Sequence, residues 1–77
     1  MPEGRERLIR CFRAVFPNLN EAEVVRANIR RTPGWDSLAT TNLIAAVEEE
    51  FGIQFTAAEI DDLSSFDAFA KRLPTVG

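Results

Sequence analysis

The sequence predicts an all-α fold: a small four-helix bundle with three main helices and one short one. Three observations carry that expectation. Apolar residues recur at helical spacing in the first, middle and last parts of the chain. Capping pairs, a polar residue with an acid three positions later, open three segments: Asn20 with Glu23, Thr56 with Glu59, and Ser64 with Asp67. No stretch alternates apolar and polar residues as a half-buried strand does.

The first helix is expected over about residues 4–16, where Leu8, Ile9, Phe12, Val15 and Phe16 make one stripe. Glu3 and Glu6 stand near its positive end, and Pro17 supplies the stop. Cys11 lies about 100° from the centre of the stripe and reads as a bystander. Residues 17–35 read as a long connection with a short helical turn at the Asn20–Glu23 box. Val24, Val25, Ile29 and Trp35 are placed to tack it onto the core. Thr32-Pro33-Gly34 is a turn signal.

The second helix should run from Asp36 to about Phe51. Gly52 follows as the left-handed terminator, and Ile53 lies beyond it within reach of Val47. The short third helix covers about 57–62, with Phe55 and Ile60 at the offsets of a hydrophobic staple. Ser64 with Asp67 opens the last helix, striped by Phe66, Phe69, Ala70 and Leu73, and Pro74 ends it.

Size and composition narrow the function. A chain of 77 residues, 45% hydrophobic, allows one domain over 1–77 with a single small core. It offers little wall for a catalytic cleft. One cysteine excludes an intrachain disulfide and suits a reducing compartment. The absence of histidine removes the usual general base and the commonest metal ligand. No basic-then-apolar leader and no membrane-length apolar run is present, so a soluble, cytoplasmic monomer is expected, with no membrane insertion.

Charge is uneven. Residues 1–31 hold seven arginines against four acids, net +3; residues 32–77 hold Lys71 and Arg72 against eight acids, net −6. The acidic half suits a partner with a basic surface, and a sequence pI of 4.8 argues against nucleic acid.

Around the second helix, residues 100° apart sort into two faces. Thr40, Leu43, Ile44, Val47 and Phe51 form the expected core face, and Leu38, Thr41, Ala45, Glu48 and Glu49 fall roughly opposite. Leu38 is therefore an apolar residue aimed at solvent. Glu48-Glu49-Glu50 occupies the last turn, where the helix dipole disfavours negative charge. Asp36 alone suffices as N-cap. Ser37 then falls on the first turn with no capping duty, among unpaired N–H groups at the positive helix end, where a phosphate is at home. With no histidine, Ser37 has no activating base and is a better acceptor than attacker.

The segments "GWDSLATTNLIAAVEEEFGIQF" and "LSSFDAFAKRL" resemble the acyl carrier protein family, the phosphopantetheine-attachment domains. The resemblance runs from the first helix to Leu73. Its most specific part is Asp36-Ser37-Leu38, backed by Val47 to Ile53. It implies a bundle of the acyl-carrier type in which Ser37 receives 4′-phosphopantetheine from coenzyme A. It also implies that Asp36 and Leu38 are read by the phosphopantetheinyl transferase, Asp36 together with the transferase's Mg²⁺.

Leu38, Thr41, Ala45, Glu48 and Glu49 then form the partner-binding face, and Val47, Phe55, Ile60 and Leu63 line the acyl chain. No metal site of the chain's own is implied. The partners would be the transferase, an acyl- or aminoacyl-loading ligase or transferase, and a downstream synthase. Such a domain serves catalysis without being an enzyme: the arm ends in a thiol that holds an activated thioester, and tethering raises its effective concentration at each partner.

Departures matter. Thr40, Thr41 and Asn42 stand where many fatty-acid carriers place acids, which favours a carrier in a specialised lipid or secondary-metabolite pathway, such as polyketide biosynthesis. The Trp-Asp-Ser pattern also resembles aminoacyl carriers, D-alanyl carriers included. Pro33-Gly34-Trp35-Asp36 does not fit the Gly-Gly-X-Ser approach of peptidyl carriers. An unmodified helical adaptor, binding through Leu38 and the acidic turn, is the reading from another class.

Overall fold

In the computed structural model, residues 2–73 are described. The stop expected at Pro74 and the side chain of Glu3 lie outside the described residues. Helix α1 (Pro2–Val15) begins on proline, whose fixed φ and missing N–H suit a first helical position. A short helix, α2 (Glu21–Val25), follows Asn20, whose side chain accepts from the Glu23 amide at 2.8 Å while Glu23 accepts from the Asn20 amide at 2.9 Å. The turn expected inside the long connection is thus a defined helix.

Helix α3 (Ser37–Phe51) starts from Asp36 and ends at Gly52, φ +65°; the Ile53 amide donates to the Glu48 carbonyl at 3.2 Å. That bond closes a Schellman-type end. Helix α4 (Ala57–Asp61) carries the expected Thr56–Glu59 box. Helix α5 (Phe66–Lys71) completes the order.

Two corrections to the expected elements follow. The bundle has five helices among the described residues, two long and three short, because the turn at Asn20 is a helix of its own and the last helix is only 6 residues. Its cap is Ser65, not Ser64: the Ser65 side chain accepts from the Ala68 amide at 3.0 Å. The cause is the neighbouring loop. Ser64 gives its carbonyl to the Ile29 amide at 2.9 Å, and the Ala27 carbonyl takes the Phe66 amide at 3.0 Å. This antiparallel bridge between Asn28 and Ser65 fixes the backbone at Ser64 and moves the cap one residue on. Among the described residues it is an isolated bridge, and no strand forms.

The core gathers on Phe12. Its ring meets Trp35, Phe66 and Phe69 edge-to-face, with centroids 5.6, 5.3 and 5.3 Å apart. Such geometry aligns ring edges with ring faces and adds to burial. Leu8, Leu43, Val47 and Leu63 fill in around this cluster.

Cys11 is a third correction. It is buried, not a bystander, with its sulfur 3.8 Å from the Ala46 carbonyl oxygen. Helix α1 packs on α3 and also on α2, so its buried sector is wider than one stripe. Burial pushes the Cys11 thiol pKa up, and the nearby Glu50 carboxylate adds to the rise.

The core face of α3 also differs from expectation. Ala39, Leu43 and Val47 are the buried residues, whereas Thr40, Ile44 and Phe51 are half-buried. The stripe is turned toward Ala39. That turn leaves Thr40 and Ile44 at the edge, where the surface beside Ser37 opens.

Candidate functional site

The segment Thr32–Trp35 delivers the chain to α3. The Trp35 amide donates to the Thr32 carbonyl at 3.2 Å, closing a turn with Pro33 and Gly34 in the middle. Gly34 has φ +86°, which a side-chain-bearing residue seldom adopts. Trp35 is buried against Phe12 and Phe16. Its indole N–H donates to Thr40 Oγ1 at 2.8 Å, and the Thr40 hydroxyl donates to the Asp36 carbonyl at 3.0 Å. The indole and Thr40 hold the first turn of α3 in place. Thr40 therefore has a positioning task that helical periodicity did not reveal.

Asp36 performs the cap, with Oδ1 accepting from the Ala39 amide at 2.9 Å. Thr41 donates its hydroxyl to the Ser37 carbonyl at 3.0 Å. Neither bond uses the Ser37 hydroxyl, which sits on an exposed residue. The Ser37 and Leu38 amides belong to the first turn and have no acceptor within the helix. An exposed hydroxyl beside them stands in the positive field of a 15-residue helix.

Two concavities flank this turn. One, of about 360 Å³, is lined by Ser37, Thr40, Thr41 and Ile44 from α3 together with Ile29. Ile60, Asp61, Leu63 and Ser64 close its far side. The other lies under Leu38 and is floored by Phe16, Pro17, Leu19 and Pro33. Leu38 is 69% exposed.

Of the four residues expected to line an acyl chain, Ile60 and Leu63 border the Ser37 pocket, while Val47 and Phe55 are buried in the core cluster. Ile29 and Ile44, both expected to pack on the core, join the pocket instead: Ile29 is exposed and Ile44 half-buried. The signal for Ile29 was an isoleucine in a polar loop, and for Ile44 its position at the edge of the core stripe.

Farther along α3, Ala45 and Glu49 are exposed on the Leu38 side. Glu48 is half-buried, and its Oε2 accepts from the Phe55 amide at 2.9 Å. Glu50 is held by Arg7: Nε donates to Glu50 Oε2 at 2.7 Å and Nη2 to the Glu50 carbonyl at 2.5 Å. The Arg7 guanidinium also lies 4.6 Å from the Phe51 ring centroid. Among the described residues no three His, Cys, Asp or Glu side chains gather as a metal site, and no helix is long and apolar enough to cross a membrane.

A family profile described as "Phosphopantetheine attachment site" matches residues 6–73. The chain belongs to the phosphopantetheine-attachment family. As a phosphopantetheine-attachment domain it is a carrier, not a catalyst, and its all-α bundle agrees with that role. The match runs from within α1 to Leu73 and so includes both concavities. No curated protein and no solved structure matches this phosphopantetheine-attachment chain.

Proposed function

We propose that Ser37 carries 4′-phosphopantetheine and that the chain, as one carrier domain with the acyl-carrier arrangement of helices, bears acyl groups between enzymes of the cytoplasm. The observation that carries this reading is an exposed serine hydroxyl on the first turn of a capped helix, free of structural duty, within the family match. The residues fit the group. Ser37 Oγ would take the phosphate from coenzyme A with release of adenosine 3′,5′-bisphosphate, leaving a phosphodiester beside the Ser37 and Leu38 amides. Asp36 spends Oδ1 on the cap, and Oδ2 remains for the transferase and its Mg²⁺. When bound, the arm supplies a thiol that holds its cargo as a thioester.

Ile29, Ile44, Ile60 and Leu63 offer the cargo an apolar lining next to Ser37. Val47 and Phe55 lie deeper, and a long acyl chain would reach them only by parting the core. Leu38, Thr41, Ala45 and Glu49 present one face to the transferase, a loading ligase or transferase, and a downstream synthase. The departures from the housekeeping pattern favour a specialised lipid or polyketide-like pathway. A second reading has a specific observation behind it: Asp61, Thr41 and Ser64 give the same pocket a polar, anionic rim, which suits the ammonium of an aminoacyl cargo.

The test of attachment is intact-mass analysis after incubation with coenzyme A, Mg²⁺ and a broad-specificity phosphopantetheinyl transferase. One phosphopantetheine per chain is expected on wild type and none on Ser37→Ala. A wild-type chain left unmodified by several transferases would overturn the reading and favour an unmodified adaptor. Modification persisting in Ser37→Ala would move the site, with exposed Ser64 next in order.

A further inference from the structure

Seven arginines crowd the first 31 residues, and the carrier reading uses none of them. The structure sorts them. Arg7 is bound to Glu50, Arg5 lies 5.6 Å from the Phe66 ring centroid, and Arg13 Nε donates to the Leu19 carbonyl at 3.2 Å. Arg10 borders a groove with Glu49 and Glu50. That leaves Arg26, Arg30 and Arg31, which are exposed and make no ion pair among the described residues.

They also stand close together for a reason built into the backbone. Asn28 Oδ1 accepts from both the Arg30 and Arg31 amides at 3.0 Å, and the Thr32 amide donates to the Asn28 carbonyl at 2.9 Å. This turn folds the chain back so that Arg26 and Arg31 line one surface pocket of about 380 Å³ with Asn28, Thr32 and Pro33. Glu23 also borders it, with its Oε1 engaged by the Asn20 amide, so one carboxylate faces two guanidiniums. The excess of positive charge is electrostatically unfavourable unless a further acidic group covers it.

Leu19 and Pro33 are shared. They border this basic pocket and also the groove under Leu38. A partner covering Leu38 therefore reaches the arginines across these two residues. We propose that the pocket lined by Arg26 and Arg31 is a second docking site, which takes an acidic side chain of a partner protein, a glutamate or aspartate carboxylate, while that partner covers Leu38.

A partner carboxylate is favoured over a free small anion. The pocket's Asn28 side chain offers an anion little: its Oδ1 is an acceptor held by the Arg30 and Arg31 amides, and its Nδ2 donates to the Arg26 carbonyl. Two exposed guanidiniums alone hold a free ion weakly. The same carboxylate carried on a surface already seated at Leu38 arrives at high effective concentration.

The consequence is a docking face with two poles. Arg26 and Arg31 sit at the N-terminal end of α3, and Glu49 lies 11 residues beyond Leu38, about 16 Å along the same helix face. A partner would place acid at one end and base at the other, which fixes its rotation about Ser37 as well as its contact with it.

The experiment is a ¹⁵N–¹H titration of the full chain with a six-residue glutamate peptide at low ionic strength. Amide shifts are expected at Arg26, Ala27, Asn28, Arg31 and Thr32, reversed by added salt. They should be lost in the double variant Arg26→Gln/Arg31→Gln, whose remaining spectrum should match wild type. Equal shifts along α1 at Arg10 and Arg13 would overturn the proposal in favour of general attraction to charge. Equal shifts with inorganic phosphate at the same concentration would overturn it in favour of a small-anion site, and no shifts would overturn it outright. Ser37→Ala should give the wild-type result, so the outcome is independent of whether Ser37 is the attachment site.

Discussion

Leu43 and Leu38 are the same residue type five positions apart on α3, and the structure places them in opposite surroundings. Leu43 is 0% exposed and Leu38 is 69% exposed. Truncating Leu43 to alanine removes buried methyl groups and leaves a space that Phe12 and its neighbours fill only in part, at a cost of about 2–5 kcal/mol. A chain of 77 residues has roughly 4–12 kcal/mol to lose. Leu38→Ala gives up only the covered third of the side chain, about 0.5 kcal/mol, partly offset by the better helix propensity of alanine.

Urea unfolding followed through Trp35 emission provides the assay, since the indole is buried and touches Phe12 and Phe16. Leu43→Ala should lower the midpoint sharply with little change in slope, and Leu38→Ala should leave both nearly unchanged. Equal large losses would refute the face assignment, and with it the argument that Leu38 is there for a partner.

Arg7→Ala should cost about 1 kcal/mol, more than the half-exposed ion pair alone supplies, because Arg7 also binds the Glu50 carbonyl and covers Phe51; part of the loss should therefore persist in high salt, as melts at two ionic strengths would read. Glu48→Ala should cost about 1 kcal/mol by stranding the Phe55 amide, whereas Glu49→Ala should be neutral or slightly stabilising; equal melting shifts would count against the difference. Glu59 is held below the ordinary carboxylate range, first by the Thr56 amide. Its contribution is thus present above the ordinary carboxylate pKa and lost as pH falls through the lowered folded value. Glu59→Gln, which keeps an acceptor for Thr56, should lose less stability than wild type between about pH 6 and about pH 3.

Local signals were legible where one residue decides the outcome. Asp36, Gly52, Thr56 and Asn20 each announce a helix end because the bonds they make lie within a few residues. The cap at Ser65 was not legible from Ser64 and Asp67, because a bond from Ile29, far off in sequence, fixed the backbone first. Cys11 and Ala39 were missed for a related reason. A single helix shows its strongest stripe, but how wide a sector is buried depends on how many neighbours cover it. Ser37 stood out because it had nothing to do in the fold. The pocket beside it was legible only in part, since Ile29 and Ile44 come to it from a loop and from a half-buried helix edge.

The acidic run at the end of α3 shows how far a charge pattern can be read. In sequence, Glu48, Glu49 and Glu50 are three like charges at an unfavourable helix end. In the structure their carboxylates have separate duties. Glu48 turns inward to the Phe55 amide and holds the connection to α4. Glu50 is neutralised by Arg7, which brings a cation to the carboxyl end of α3, where the dipole favours one. Two of the three placements are thus compensated within the fold. Glu49 makes no ion pair among the described residues and shares the Leu38 face. Of the three carboxylates, Glu49 is the one left without a bond inside the fold among the described residues, and it is the one the proposed partner face would use. If that face docks a partner as proposed, so little acid gains more from a second contact of opposite sign, and Arg26 and Arg31, which make no ion pair among the described residues, border a pocket next to the groove under Leu38.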